Sequence, residues 1–205
     1  MTEIKKTKEL IFDTFIDMTS TLGYENVSMR EIAQGVGIQV ASIYNHFSTK
    51  AEILDFVYEY LSERLYENRA PIEQMKVLID AANAEELIRH FVYTYTSEDP
   101  VEYQRMVSIT KIMYMRLLQD PQAFSIFSEC YKKNIAYINE VIRYGIETGR
   151  VDPGFDAMTF AEVLADVTQA LSFKSYGDTF DKEQLRENQE RSLTLLSQLL
   201  TSAFK

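Results

Sequence analysis

The chain carries one cysteine and two histidines, and each scarcity closes off a class of chemistry. A lone Cys130 cannot form an internal disulfide, which suits a reducing cytosol, and it leaves no cysteine cluster for zinc. His46 and His90 stand far apart, so no histidine-based metal site is expected either. Seven glycines and four prolines are too few for a turn-rich β fold, whereas the many Leu, Ile, Met, Glu and Gln residues favour helix. Long hydrophobic runs are missing as well: no stretch approaches the ~18 apolar residues of a membrane span. The basic opening MTEIKKTKEL is followed by no small-residue cleavage site. Catalytic patterns are absent too, with no Ser-His-Asp spacing, no HExxH and no phosphate-cradling glycine loop. The expectation is a soluble, cytoplasmic chain that is not an enzyme and holds no metal or cofactor.

What is present is acid. A formal net charge of -10 argues against a broad basic footprint. The objection is local, however, because fields are screened over ~8–10 Å and binding depends on one face. Lys5, Lys6 and Lys8 make the first residues positive against Glu3, while much of the acid lies in Glu85, Glu86, Glu98, Asp99 and residues 178–190.

Hydrophobic spacing predicts helices throughout. Ile11, Phe15, Met18 and Leu22 mark one helical face, and Gly23 is placed to end it in the left-handed region. Ser28 then precedes Met29, Ile32, Ala33 and Val36, with Glu31 completing a capping-box pattern. Gly35 and Gly37 cut that helix short. A third short helix is expected from Gln39 to His46 or Phe47, and Ser48 or Thr49 can cap a longer one through Ile53 or Leu54, Val57, Leu61 and Leu65. Further on, Pro71, Pro100 and Pro121 each stand at a possible first helical position, the last two behind an Asp. Phe127, Tyr131, Ile135, Ile138, Ile142 and Ile146 describe a long helix ending near Gly149. Phe160, Val163, Leu164, Val167 and Leu171 mark the next, and Leu185, Leu193, Leu196, Leu199 and Leu200 the last. The fold class expected is all-α with about nine or ten helices: residues 1–50 a three-helix head and 51–205 a larger helical domain.

Two short helices joined by a glycine turn form a helix-turn-helix, whose second helix can lie in the major groove of DNA. Here Gly35-Val36-Gly37 is the turn and residues 39–46 the presented helix. Gln39 and Asn45 carry amides suited to adenine, Ser42 can bond to either base type, and Val40 and Ala41 can touch a thymine methyl. Ser28, Tyr44, His46 and Lys50 carry donors suited to phosphates, and Arg30 is grouped with them. Ile43 and Phe47 read as core. A glycine-turned helix pair also occurs as a plain corner of helical proteins, so these residues by themselves leave both readings standing.

The order and spacing of the pieces add more. Gly23-Tyr24, Ser28-Met29-Arg30-Glu31-Ile32-Ala33, Val36-Gly37-Ile38, Ile43-Tyr44-Asn45-His46-Phe47 and Ser48-Thr49-Lys50-Ala51-Glu52-Ile53-Leu54 together resemble the N-terminal DNA-binding domain of the TetR family of transcriptional regulators. The resemblance spans residues 11–54, about a quarter of the chain, and beyond it rests on architecture, including a Gly149-Arg150-Val151 turn. It implies that Ser28 caps the second helix and touches a phosphate. It also implies that Gln39 opens the recognition helix, that Val40, Ala41 and Ser42 face bases, and that Tyr44, His46 and Lys50 hold phosphates. The family often has Gly in place of Ala41 and Lys, Arg or Pro in place of Val40, and the first helix departs at Phe15 and Thr19.

The resemblance further implies a homodimer through the last two helices, near 157–174 and 182–203, and a ligand pocket between head and dimer helices. The middle of the chain is rich in aromatics and methionines, which suit an adaptable apolar pocket. His90, Phe91, Tyr93, Met106, Met113, Tyr114, Phe127 and Tyr131 are the candidate lining residues for a small hydrophobic or aromatic effector. The function expected is a repressor released from double-stranded, palindromic operator DNA by that ligand. The alternative is a ligand-independent DNA-binding factor whose rear domain only dimerises or binds a protein.

Overall fold

A computed structural model describes residues 3–67, 69–92, 99–175 and 181–205. Tyr93, Tyr95, Glu98 and most of the polar segment after Ser175 lie outside the described residues. Among those described are ten α-helices: α1 (Glu3–Leu22), α2 (Met29–Val36), α3 (Val40–Ile43), α4 (Lys50–Glu67), α5 (Ile72–Asp80), α6 (Ala84–Val92), α7 (Pro100–Arg116), α8 (Pro121–Glu147), α9 (Ala157–Ser175) and α10 (Lys182–Thr201). No described helix is long and apolar enough to cross a membrane. The chain forms two compact units, Met1–Glu67 with Ser97–Phe127, and Asn68–Thr96 with Ser128–Lys205. The boundary read at Lys50 falls inside the first unit. Residues 121–127 of α8 belong to that unit and the remainder of the helix to the second.

In the first unit α1 packs against α2, α4 and α7. Its buried face is Ile11, Phe12, Phe15, Ile16 and Thr19. The expected line through Met18 to Leu22 is corrected: Leu22 is 51% exposed, because a true 3.6-residue period carries the buried stripe to Thr19 instead. Helix α1 also begins at Glu3, so the basic opening forms the first turns of a helix and not a loose tail. Gly23 ends α1 with the positive φ expected, +85°, but at ψ +150° and so outside the left-handed helical region, and a single 3-10 turn over Tyr24–Asn26 follows.

The second unit buries Met75, Ile79, Leu87, Ile88, Phe91, Ile138, Val141, Ile142, Phe160, Leu164, Leu193, Leu196 and Leu200 in one cluster. Asp99 and Pro100 start α7 as anticipated, Asp99 accepting from Val101 N–H at 2.9 Å. Pro71 instead sits one residue before its helix, as the cap. The break between α5 and α6 has neither glycine nor proline. Ala82 takes φ +54° there, and Asn83 Oδ1 accepts from Glu86 N–H at 3.1 Å while its Nδ2 donates to Glu86 Oε2 at 2.8 Å. The C-terminal residues fold back on the turn after α8: Val151 bridges Phe204, Asp152 N–H donates to Ala203 O at 2.8 Å, and Lys205 N–H to Arg150 O at 2.9 Å.

Val151 is itself seated over Gly145 of α8. A Cβ at Gly145 would lie 2.6 Å from Val151 Cγ2 and 3.0 Å from Ile79 Cγ2. Gly145→Ala should therefore cost about 1–3 kcal/mol by overpacking, measured by urea unfolding. Adding Val151→Ala should restore part of that loss, since it removes the nearer of the two clashing methyls.

Candidate nucleic-acid interface

The segment between Ser28 and Lys50 is assembled from short pieces, each fixed by an identifiable bond. Ser28 Oγ accepts from Glu31 N–H at 3.3 Å and donates to Glu31 Oε2 at 2.6 Å, while Ser28 N–H donates to the same oxygen at 2.8 Å. This is the capping box the spacing predicts. The Ser28 bonds hold the Glu31 carboxyl below its ordinary value. The cap is therefore intact at neutral pH and is lost as pH falls through that lowered value. At the other end of α2, Gly37 adopts φ +79°, and Ile38 N–H closes on Ala33 O at 3.0 Å.

Helix α3 is shorter than expected. Only Val40–Ile43 is α-helical, Gln39 is its N-cap, and Tyr44 to His46 form a turn. One turn has too few hydrogen bonds to persist alone. It is held by Ile43, fully buried, and Phe47, nearly so. Phe47 meets the Phe56 ring at 6.0 Å, and Lys8 Nζ lies 5.1 Å from the Phe47 centroid and 4.4 Å from that of Phe56. A second reciprocal cap starts α4: Glu52 N–H donates to Thr49 Oγ1 at 3.1 Å, and Ser48 N–H to Glu52 Oε2 at 2.6 Å.

Lys50 spans the segment. Its Nζ donates to Tyr24 O at 2.7 Å and Val27 O at 2.8 Å, and sits 4.0 Å from the Tyr24 ring centroid. Of three ammonium donors, two close this bridge and one remains. Ser28 is similarly spent, since its hydroxyl proton and its N–H both go to Glu31. The other candidates face outward. Arg30, Gln39, Val40, Ala41, Tyr44 and Asn45 are exposed, Ser42 and His46 half-buried. Gln39, Tyr44, Asn45 and His46 have no side-chain hydrogen-bond partner among the described residues.

The candidate effector residues are divided between the two units. Met106 and Met113 are buried in the first, where the Tyr114 and Phe127 rings meet at 6.2 Å. In the second, Phe91 is buried edge-on to Tyr137 at 6.0 Å, and His90 Nε2 lies 3.9 Å from Glu86 Oε1. Tyr131 donates to Asp166 at 2.5 Å, a bond that pushes its hydroxyl up to about 12. Tyr93 lies outside the described residues.

Residues 16–57 match the family described as bacterial regulatory proteins, tetR family. The head of the chain is thus similar to that family. A curated relative, the biofilm operon icaADBC HTH-type negative transcriptional regulator IcaR of Staphylococcus aureus strain Newman, is 25% identical over 143 residues, covering 67% of this chain and 68% of that one. Among solved structures, Salmonella enterica GusR superposes with TM-score 0.63 at 19% identity, over 98% of this chain and 97% of the other. A putative transcriptional regulator from Saccharomonospora viridis in complex with choline gives TM-score 0.63 at 20% identity, over 97% and 95%. These two likenesses show that the fold is shared along nearly the whole chain.

Two supports of this head were not visible in its sequence: the Lys50 bridge and the stacking of Lys8 on Phe47 and Phe56. Both join residues more than twenty positions apart, and no local pattern announces them. Lys50→Met should cost about 2 kcal/mol of unfolding free energy through its two charged hydrogen bonds. Ser28→Ala should cost about 1 kcal/mol through the cap. Both are read as lower urea midpoints at unchanged slope.

Proposed function

We propose that the chain is a dimeric repressor that grips a palindromic operator and lets go when a small hydrophobic or aromatic ligand binds. The observation that carries this is the outward display of Gln39, Val40, Ala41, Tyr44 and Asn45 around a turn pinned from below by Ile43 and Phe47. In the major groove the Gln39 and Asn45 amides suit adenine, Val40 and Ala41 suit a thymine methyl, and half-buried Ser42 can bond to either base type. Tyr44, His46, Arg30 and the remaining Lys50 N–H suit phosphates. Ser28 supports the interface through its cap, with the phosphate beside it left to Arg30.

A head this small reads few base pairs, and two-fold symmetry doubles the site. Leu195 and Leu199, one turn apart on α10, are 67% and 49% exposed, and Met158, Val163 and Phe173 of α9 are 47%, 45% and 60% exposed. Burying that apolar surface against a second copy favours a homodimer through α9 and α10. The name of IcaR, a negative transcriptional regulator, supports repression. The choline complex of the Saccharomonospora viridis neighbour supports a small organic ligand in this fold, and the buried aromatics and methionines favour an apolar one here. Ligand and operator then oppose each other by the same factor, because linkage between binding sites is reciprocal. The reading gives the chain no chemical turnover to perform and a place in the cytoplasm beside its DNA.

Selection of bound duplexes from random DNA with the full chain should enrich an inverted repeat whose half-sites stand about one helical turn apart. Tyr44→Ala should weaken binding to it by roughly five- to tenfold, the worth of a phosphate hydrogen bond. Leu195→Glu with Leu199→Glu should give monomers by sedimentation and abolish operator binding. Enrichment of no sequence, or of an unrepeated one, would overturn the reading.

A further inference from the structure

Arg116 ends α7, far in sequence from the helix-turn-helix, yet its guanidinium carbon lies 4.5 Å from the centroid of the Tyr24 ring. Lys50 Nζ lies 4.0 Å from the same centroid. One aromatic ring thus serves two cations, each attracted by its π density. Repulsion between the cations is relieved by carboxylates around the arginine: Nη1 donates to Glu25 Oε1 at 3.0 Å and Nη2 to Asp120 Oδ2 at 3.4 Å. Asp120 Oδ2 in turn accepts from Tyr58 of α4 at 2.9 Å. Arg116 therefore reaches both flanks of the recognition turn, the 3-10 turn before α2 through Tyr24 and Glu25, and α4 through Asp120 and Tyr58.

The arginine is held inward at some cost. Its side chain is 15% exposed and its Nε is buried without a hydrogen bond. An arginine needed only to pair with Glu25, itself 74% exposed, could do so from the surface and keep Nε in water. Its place over the ring is what the inward position secures.

We propose that Arg116 is a positioning residue for operator binding: by stacking on Tyr24 it fixes the platform on which Lys50 bridges Tyr24 O and Val27 O, and so sets the segment 44–50 that faces phosphate. Movement of the last turn of α7 is then felt at the interface without any contact between Arg116 and DNA. The operator part of this rests on the reading above, whereas the ordering of residues 44–50 does not.

The test uses the full chain with Arg116→Ala, Arg116→Lys and Tyr24→Leu, in two measurements. Hydrogen exchange of the free protein should show amides 44–50 exchanging at least tenfold faster in Arg116→Ala, with amides of α9 and α10 unchanged. Operator affinity, measured on the selected duplex, should fall about tenfold, with the salt slope unchanged because no phosphate contact is removed. Arg116→Lys, which keeps a cation for the ring, should recover most of both. Adding Tyr24→Leu to Arg116→Ala should cost less than the two separate losses combined. Unchanged exchange at 44–50 in Arg116→Ala overturns the proposal, as does full operator affinity in that variant. If the wild-type chain binds no selected duplex while exchange at 44–50 still rises, the operator reading fails and the positioning of the segment stands.

Discussion

The whole interface hangs on a helix of one turn. Four residues, Val40–Ile43, cannot keep their geometry by their own hydrogen bonds, so their direction is imposed by what lies beneath and beside them. Beneath are Ile43 and Phe47, buried in the head. Beside are two reciprocal caps and the Lys50 ammonium, which ties the start of α4 to the backbone before α2. Each tie contributes on the order of 1–2 kcal/mol, comparable to the few kcal/mol that separate a useful site from a misaligned one.

Under the proposed reading, this construction explains how an acidic chain presents a DNA-facing surface. The basic groups nearest the head are partly consumed within it. Lys8 stacks on Phe47 and Phe56, and Lys50 gives two of its three donors to carbonyls. Much of the positive charge is used to build the scaffold, and the outward face is left to amides, hydroxyls and methyls, with Arg30 its exposed cation. Such a surface favours discrimination by base-edge contacts over the strong, salt-sensitive attraction of a polybasic patch.

What was legible in the sequence was whatever is decided within four residues. The Ser28–Glu31 box, the positive-φ Gly23, the left-handed Gly37 and the Asp99-Pro100 start are local chemistry, and each stands where its residues put it. The outward candidates from Gln39 to Asn45 could be picked because Ile43 and Phe47 are the apolar members of their own short run. What could not be read depended on distant partners. The length of α3 is cut by packing, Leu22 is turned outward by the drift of the buried stripe, and Lys50 is drawn inward by carbonyls of residues 24 and 27. The α5–α6 break did leave a trace, the Asn83–Glu86 cap, hidden because neither glycine nor proline marks it. The clasp of residues 203–205 on the turn at Arg150 left none, being made by backbone groups alone. The effector candidates were chosen by residue type over a span of some forty positions, and the fold distributes them over two units.

The central claim is that residues 39–45 read base edges in the major groove. It is tested most directly by replacing purines of the selected operator, one at a time, with their 7-deaza analogues, which remove the major-groove N7 acceptor and leave the minor groove untouched. Binding should fall at purines clustered within each half-site, symmetrically about the centre, and the loss at adenines should disappear in Gln39→Ala or Asn45→Ala. Wild-type affinity for every 7-deaza duplex, combined with sensitivity to removal of the minor-groove guanine amino group, would contradict it.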